Sequence, residues 1–458
     1  MQKLSSRRLR LAALSIALCA AVGAAGAQGF GQPDPDFKGA VRATSPLIKA
    51  GDTVEMSGQG FKPGQAVRLL RGETVLNARP WTADAEGRIS GQVQVPADAA
   101  VGRHPVVVRV ANPDAAAVIE LKVSKDVPLS GADRYDVTAN KLVQGLYQVA
   151  HSRTSNALFV TAAVGRPPVT QSELLKLDPE TLEITARVTP AQVEGQTDGR
   201  VYAVYGVAVD DANGHVWVTN TRDDSVAVYR QSDLSLVKQF EPGAVAHARD
   251  VVIDEANSRA YASATGTGNI EVFDTKTLEQ LDPIVVQSGK RGGDFSVMSL
   301  DIDTEGGTLV TVSMLSDEAA VVTLATGEMK VFPLPGARSA SGVAFDAKDG
   351  LIFVASQQTD NLLIANTSGE VLHDVEVGAG ALNVAFDPVN RLAYVANRGA
   401  GTITVVDTDG KIVANLDAGS MPNQLRADGK GNIYAVNKSR GENDPVGDRI
   451  WRITPATH

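Results

Sequence analysis

Gly342-Val-Ala-Phe-Asp346 with Ile352-Phe-Val-Ala355, and Asn383-Val-Ala-Phe-Asp387 with Ala393-Tyr-Val-Ala-Asn397, are two copies of one pattern. An apolar run ends in an aspartate that opens a turn, and a second apolar run follows with a large residue at its centre. Four more segments repeat it. They are Gly206-Val-Ala-Val-Asp210 with Val216-Trp-Val-Thr-Asn220, Asp250-Val-Val-Ile-Asp254 with Ala260-Tyr-Ala-Ser263, Ser299-Leu-Asp-Ile-Asp303 with Leu309-Val-Thr-Val312, and Gln424-Leu-Arg-Ala-Asp428 with Ile433-Tyr-Ala-Val-Asn437. A less regular first copy runs over residues 147–161. The central residues Phe159, Trp217, Tyr261, Val310, Phe353, Tyr394 and Tyr434 step by 58, 44, 49, 43, 41 and 40 positions. Short strands repeating at such a period predict a seven-bladed β-propeller over residues 127–458, one four-stranded blade per copy. Further strands at 225–229, 270–273, 362–365 and 402–406, then 370–377 and 411–416, supply outer members.

The last copy stops five residues after Ile450-Trp-Arg-Ile453, its third strand. Its fourth strand must come from elsewhere, and residues 134–143 are free to supply it. That pairing would join the two ends of the ring and remove an exposed sheet edge. A single copy cannot bury both of its faces, so the ring is expected to fold as one unit.

Upstream, short runs at 54–57, 67–70, 89–95, 105–110 and 118–123 alternate apolar and polar residues. Ile119, Leu121 and Val123 share one side and Glu120 and Lys122 the other, the period of a half-buried antiparallel strand. With the turns Gly60-Phe61-Lys62-Pro63-Gly64 and Asp84-Ala85-Glu86-Gly87, residues 44–126 read as a small β-sandwich. Residues 28–43, with Pro33 and Pro35, are expected to connect it to what precedes. The fold class is therefore all-β.

Residues 1–27 have the layout of a cleavable secretory signal: Arg7, Arg8 and Arg10, an apolar run over 11–22, then Ala25-Gly26-Ala27. Ser6-Arg7-Arg8 approaches a twin-arginine signal, with Arg10 where that signal has an apolar residue. Cys19, the single cysteine, lies inside this segment and follows Leu18, not the small residue of a lipoprotein signal. A mature chain would then lack thiols, which excludes disulfides, thiol nucleophiles and Cys-ligated metal sites. No other apolar run approaches the length of a membrane span. Export to a bacterial periplasm without membrane insertion is the expectation. The full chain carries 43 Lys+Arg against 53 Asp+Glu, net −10. Without Lys3, Arg7, Arg8 and Arg10, the remaining 39 against 53 give −14. Such a balance opposes general coating of nucleic acid or anionic lipid while allowing a local basic patch.

Val216-Trp-Val-Thr-Asn220 and Ala393-Tyr-Val-Ala-Asn397 resemble the Tyr-Val-Thr-Asn repeat of YVTN propellers. Met421-Pro-Asn-Gln, Asn432-Ile-Tyr and Asp448-Arg-Ile resemble the closing blade of the YncE-type periplasmic members, and Leu177-Asp-Pro-Glu-Thr-Leu182 is similar to their first. The Gly-Phe-x-Pro-Gly turn at 60–64 resembles immunoglobulin-like modules of the IPT/TIG kind. The resemblance spans about 330 residues and implies a seven-bladed periplasmic binder without established catalysis, with nucleic acid and cell-envelope protein among its candidate ligands. The added N-terminal sandwich departs from that pattern.

In up-and-down blades, the loops after second strands and those before first strands emerge at one rim. The turns opened by Asp210, Asp254, Asp303, Asp346, Asp387 and Asp428 lie at the other, where repetition assigns them to capping. The first rim gathers Arg166, Arg222, Arg398, Lys438 and Arg440 from one loop set. From the other come Tyr147, Tyr202, Tyr205, Arg249, Asn383 and Asn423, with His247, Gln148, Gln424 and Arg338 nearby, and with Arg200 and Arg291 close in sequence. Converging guanidinium groups would focus a positive field and grip phosphate or carboxylate in bidentate fashion. The tyrosines could add stacking surfaces for bases. Against this, exposed Arg and Lys are often solvated or paired with local acids such as Asp223 and Asp224.

Metal and catalytic patterns are absent from the sequence. The six histidines (His104, His151, His215, His247, His373, His458) never fall within five residues of one another, and neither a haem-attachment motif nor a nucleophile elbow occurs. Thr265-Gly-Thr-Gly268 opens no helix and is a turn. No cofactor is expected. The first reading is a non-catalytic exported protein binding an anionic ligand, nucleic acid or an acidic protein surface, at the propeller rim. A propeller enzyme of lactonase or lyase type with a channel metal is the second. The third is an envelope scaffold or metal-uptake interaction protein that docks through both domains.

Overall fold

The computed structural model describes residues 31–456, so the expected signal segment at 1–27 lies outside the described residues. All regular structure among the described residues is β-strand, apart from single 3-10 turns at Ala132–Arg134 and Thr221–Asp223. No helix among them is long and apolar enough to cross a membrane. The chain divides into two compact units, Met1–Val123 and Ser124–His458.

In the first unit, Ala40–Ala43, Thr53–Gln59 and Ile89–Gln94 form one antiparallel sheet. Ala66–Arg71, Gly102–Ala111 and Ala115–Val123 form the other, with Thr74–Val75 and Trp81–Thr82 on Ala66–Arg71. Alternation decides what is buried. Val106, Val108 and Val110 point inward, while Pro105, Val107 and Arg109 face solvent. They meet Val54, Met56, Val67, Leu69 and Leu121 in one core. One boundary differs from expectation. Residues 28–43 are in part sheet: Ala40–Ala43 pairs with Thr53–Gln59, and Val41 is buried in the core. Pro33 and Pro35 mark the segment as irregular in sequence, but four extended residues with one apolar side chain suffice to add a strand.

The second unit holds seven four-stranded antiparallel sheets among the described residues, called sheets 1 to 7 in chain order. Their first strands are Leu146–Ser152, Val207–Asp210, Ala248–Asp254, Val297–Asp303, Ala340–Asp346, Ala381–Asp387 and Pro422–Ala427. Each first strand packs against the next in this order, and the first strand of sheet 7 packs against that of sheet 1, so the series closes. Sheet 7 completes itself as the sequence requires: Tyr135–Lys141 pairs antiparallel with Arg449–Pro455 from the far end of the chain.

The repeated large residues lie between sheets. Trp217, Phe159, Phe353 and Tyr394 are fully buried, and Trp217 packs on Phe240 and Phe273 with ring centroids 5.9 and 5.7 Å away. Each such side chain contributes roughly 1.5–3 kcal/mol by burial. Near the axis, polar side chains tie successive sheets together. Val207 N–H donates to Gln148 Oε1 (3.1 Å) and Leu300 N–H to Asp250 Oδ2 (3.0 Å). Phe345 N–H donates to Asp301 Oδ2 (2.8 Å), and Val149 N–H to Gln424 Oε1 (2.9 Å), which closes the circle. Gln424, read from sequence as a rim residue, thus clasps sheet 7 to sheet 1. Where this layer carries Gly206, a Cβ would stand 2.4 Å from the Arg249 carbonyl oxygen, so the neighbouring strand approaches too closely for a side chain.

The turn aspartates sit at the opposite rim and accept backbone N–H groups within their own turns. Asp210 takes Asn213 N–H (3.2 Å), Asp254 takes Asn257 (3.1 Å), Asp303 takes Gly306 (2.9 Å) and Asp346 takes Lys348 (3.1 Å). Asp387 takes Val389 (2.9 Å) and Asp428 takes Lys430 (2.7 Å). These bonds hold the hairpins that follow six of the seven first strands, Ser152 taking the place of the aspartate in sheet 1.

Candidate anion site at the axial recess

Two register positions build one end of the ring. The first lies five residues before the turn-opening position of each repeat and holds Tyr147, Tyr205, Arg249, Met298, Ser341, Leu382 and Asn423. The second follows each second strand directly and holds Thr221, Thr265, Met314, Gln357, Arg398 and Lys438 in sheets 2 to 7. All but Ser341 and Lys438 line a single recess of about 390 Å³, joined by Arg222, His247, Gln148 and Asn383. Every sheet except the fifth contributes at the first position, and Gln357 represents the fifth. No carboxylate is among the lining residues.

Arg222, Arg249 and Arg398 therefore meet although 176 positions separate the outer two. Arg398 Nη1 donates to Asn423 Oδ1 (2.7 Å), while Asn423 Nδ2 donates to the Tyr147 carbonyl (2.7 Å). Asn423 thus fixes the guanidinium and the first strand of sheet 1 at once. Arg249 Nε is buried without a hydrogen-bond acceptor. Burial pulls both Arg249 and Arg398 below the ordinary guanidinium range, and for Arg249 the Arg398 charge adds to it, against the opposing pull of Asp250. Arginine keeps its proton regardless. These directions register how poorly solvated the positive charge is. His247 is lowered by burial and then by Arg222, and its backbone N–H donates to Asp224 Oδ1 (2.6 Å).

Lys438 does not line the recess but stands beside it, its Nζ 3.3 Å from the centroid of the Tyr147 ring. Burial, and next the Arg398 charge, pull its ammonium down to about 7, with Asp448 acting in the other direction. Tyr147 also packs edge-on against Tyr205, centroids 4.5 Å apart, and burial raises both phenols. The two rings are thus occupied by each other and by Lys438.

Several rim candidates lie elsewhere. Arg166 and Arg440 are exposed and outside the recess lining, two and three residues beyond their second strands. Tyr202 is buried and does not line the recess. Arg200 is held by Asp198, its Nε 2.9 Å from Oδ2, a pairing that also holds the Asp198 carboxyl below its usual range. Asn383 lines the recess, but its Oδ1 accepts the Val384 N–H (2.9 Å). Met298, Met314, Leu382 and Thr265 are lining residues that a search for charged groups passes over. The two register positions would have found them.

A second and wider cavity of about 740 Å³ opens towards the turn rim and includes Asp250, Asp301, Asp346, Arg391 and Arg426. Four of these charges are committed. Asp250 and Asp301 serve the inter-sheet clasps, and Arg391 bridges Asp346 and Asp349. Among the described residues no three His, Cys, Asp or Glu side chains gather as metal ligands would.

This ring of four-stranded sheets is a β-propeller. It is similar in structure to RRP9 WD40 repeats, at 10% identity and TM-score 0.57 over 72% of this chain and 100% of that one. Streptogramin B lyase matches at 12% and 0.53, covering 70% and 98%. Hydrazine synthase of Kuenenia stuttgartiensis matches at 19% and 0.53, covering 64% and 94%. No family model matches the chain, and no curated protein matches it in sequence.

Proposed function

We propose that this protein is an exported, non-catalytic binding protein whose seven-bladed, YVTN-type propeller takes an anionic ligand at the axial recess. The first unit, as an IPT/TIG-like module, would serve as a spacer, and the periplasm would be the working compartment. One observation carries the binding reading: Arg222, Arg249 and Arg398, from sheets 2, 3 and 6, line one recess with no carboxylate among them. On a chain of net −10, gathering three guanidinium groups in a recess lined by no carboxylate opposes folding, and an incoming anion would relieve that opposition. The anion would be a phosphate of nucleic acid or a carboxylate of an acidic protein surface.

Fluorescence anisotropy with a labelled single-stranded oligonucleotide and with polyglutamate, from low to high salt, tests this. Three phosphate contacts on a single strand predict a log–log salt slope of about −2. Affinity that stays flat across that range would sink the electrostatic reading.

A further inference from the structure

The recess is not cationic all round. Met298 and Leu382 occupy the register position that holds Arg249 in sheet 3, and Met314 occupies the one that holds Arg398 in sheet 6. The methionines come from sheet 4 and Leu382 from sheet 6, while the guanidinium groups come from sheets 2, 3 and 6, so thioether and aliphatic side chains share the lining with the arginines. A bare inorganic anion would neutralise the guanidinium groups and leave the apolar side chains facing water. A nucleobase would need an open aromatic face, yet Tyr147 already carries Lys438 on its ring and Tyr205 at its edge. Small recesses of this kind, largely preformed, with an apolar wall and a few convergent polar groups, are how proteins hold small molecules.

We propose that the recess binds a small organic anion, a carboxylate or phosphate carried on an aromatic or aliphatic body. The anionic head meets the Arg398 and Arg249 guanidinium groups, and the body lies against Met298, Met314 and Leu382. Methionine suits such a wall because its unbranched, polarizable chain adapts to different shapes and makes favourable contacts with aromatic rings. The inference rests on the anion reading above and narrows it from a macromolecular surface to a molecule that fits within about 390 Å³.

Calorimetric titration of the full chain with phenyl phosphate, benzoate, inorganic phosphate and phenol, at one ionic strength, tests it. Phenyl phosphate or benzoate should bind roughly tenfold or more tightly than inorganic phosphate, with phenol weaker still. Which of the two binds better separates a phosphate head from a carboxylate head. Met314→Gln, at a half-buried loop position, should narrow the gap between phenyl and inorganic phosphate. Arg249→Gln should weaken both, with thermal melting run alongside to show that each variant is folded. Equal affinity for phenyl and inorganic phosphate overturns the apolar wall. Salt-dependent oligonucleotide binding without any small-anion binding overturns this inference and leaves the anion reading standing. Failure of every anion tested removes both.

Discussion

At the turn rim of the propeller, Asp210, Asp254, Asp303, Asp346, Asp387 and Asp428 each accept a backbone N–H two or three residues further on. At the opposite rim, Arg222, Arg249 and Arg398 meet no carboxylate in the recess they line. Both sets are charged, yet the aspartates, which recur from repeat to repeat, are consumed by the fold and the arginines, which do not, are left for a partner. The distinction is local satisfaction. A carboxylate one turn from free amides finds donors within its own hairpin, whereas Arg249 on a first strand and Arg222 and Arg398 after second strands line a recess that holds no carboxylate.

The comparison breaks most sharply with Arg249→Ala and Arg398→Ala together. Two charge-assisted hydrogen bonds at roughly 1.5–3 kcal/mol each predict a loss of at least about a hundredfold in anion affinity. The melting temperature should stay level or rise, because poorly solvated positive charge is being removed. Titration and thermal unfolding read the two effects separately. Arg166→Ala and Arg440→Ala, outside the recess, serve as controls that should leave affinity unchanged. Substantial destabilisation by the double variant would place these arginines with the structural charges instead.

The reverse behaviour is expected of Asp428→Ala. Asp428 accepts from Lys430 N–H, Asn432 N–H (3.1 Å) and Asn432 Nδ2 (2.7 Å), so its loss should cost about 1–3 kcal/mol of stability. Anion affinity should not change, and denaturant unfolding paired with the same titration decides it.

The smallest effect concerns pH and sharpens the contrast. Lys438 faces Tyr147, Arg398, Arg222 and Asp448, and its folded-state value of about 7 lies below the ordinary 10.5. Between those values the unfolded chain binds a proton there that the folded chain does not, so stability should rise with pH above about 7. Anion affinity should move the other way. It weakens severalfold as pH climbs from 6 to 8 and the ammonium is lost. Lys438→Met should flatten both profiles. Persistence of the slopes in that variant would assign them to another group.

Much of this was legible before any coordinates. The spacing of Phe159, Trp217, Tyr261, Val310, Phe353, Tyr394 and Tyr434 marks the second strands, because a large side chain at the centre of each is what fills the gap to the next sheet. The missing outer strand of the last repeat points to residues 134–143 for the same reason, that an unpaired edge is unfavourable. The turn aspartates are equally readable, since their partners lie two or three residues away. The site was legible only in part. Arg222, Arg249, Arg398, Tyr147, Tyr205 and Asn423 follow from knowing which loops share a rim, but Arg166 and Arg440 satisfy the same rule and fall outside the recess.

What the sequence determined alone, then, is the repeat, the strand order and the location of self-satisfied charge, all properties of residues within hydrogen-bonding or pairing reach along one hairpin. Only the closed ring decided which side chains face one another across the axis. Arg166 and Arg222 both stand two residues beyond a second strand, yet only Arg222 lines the recess, so the outcome is not set by the residue's own chemistry or by its position in the repeat. The methionine wall at Met298 and Met314 has no charge or motif to betray it. It becomes visible only when the closed ring brings sheet 4 to the same recess as the arginines of sheets 2, 3 and 6.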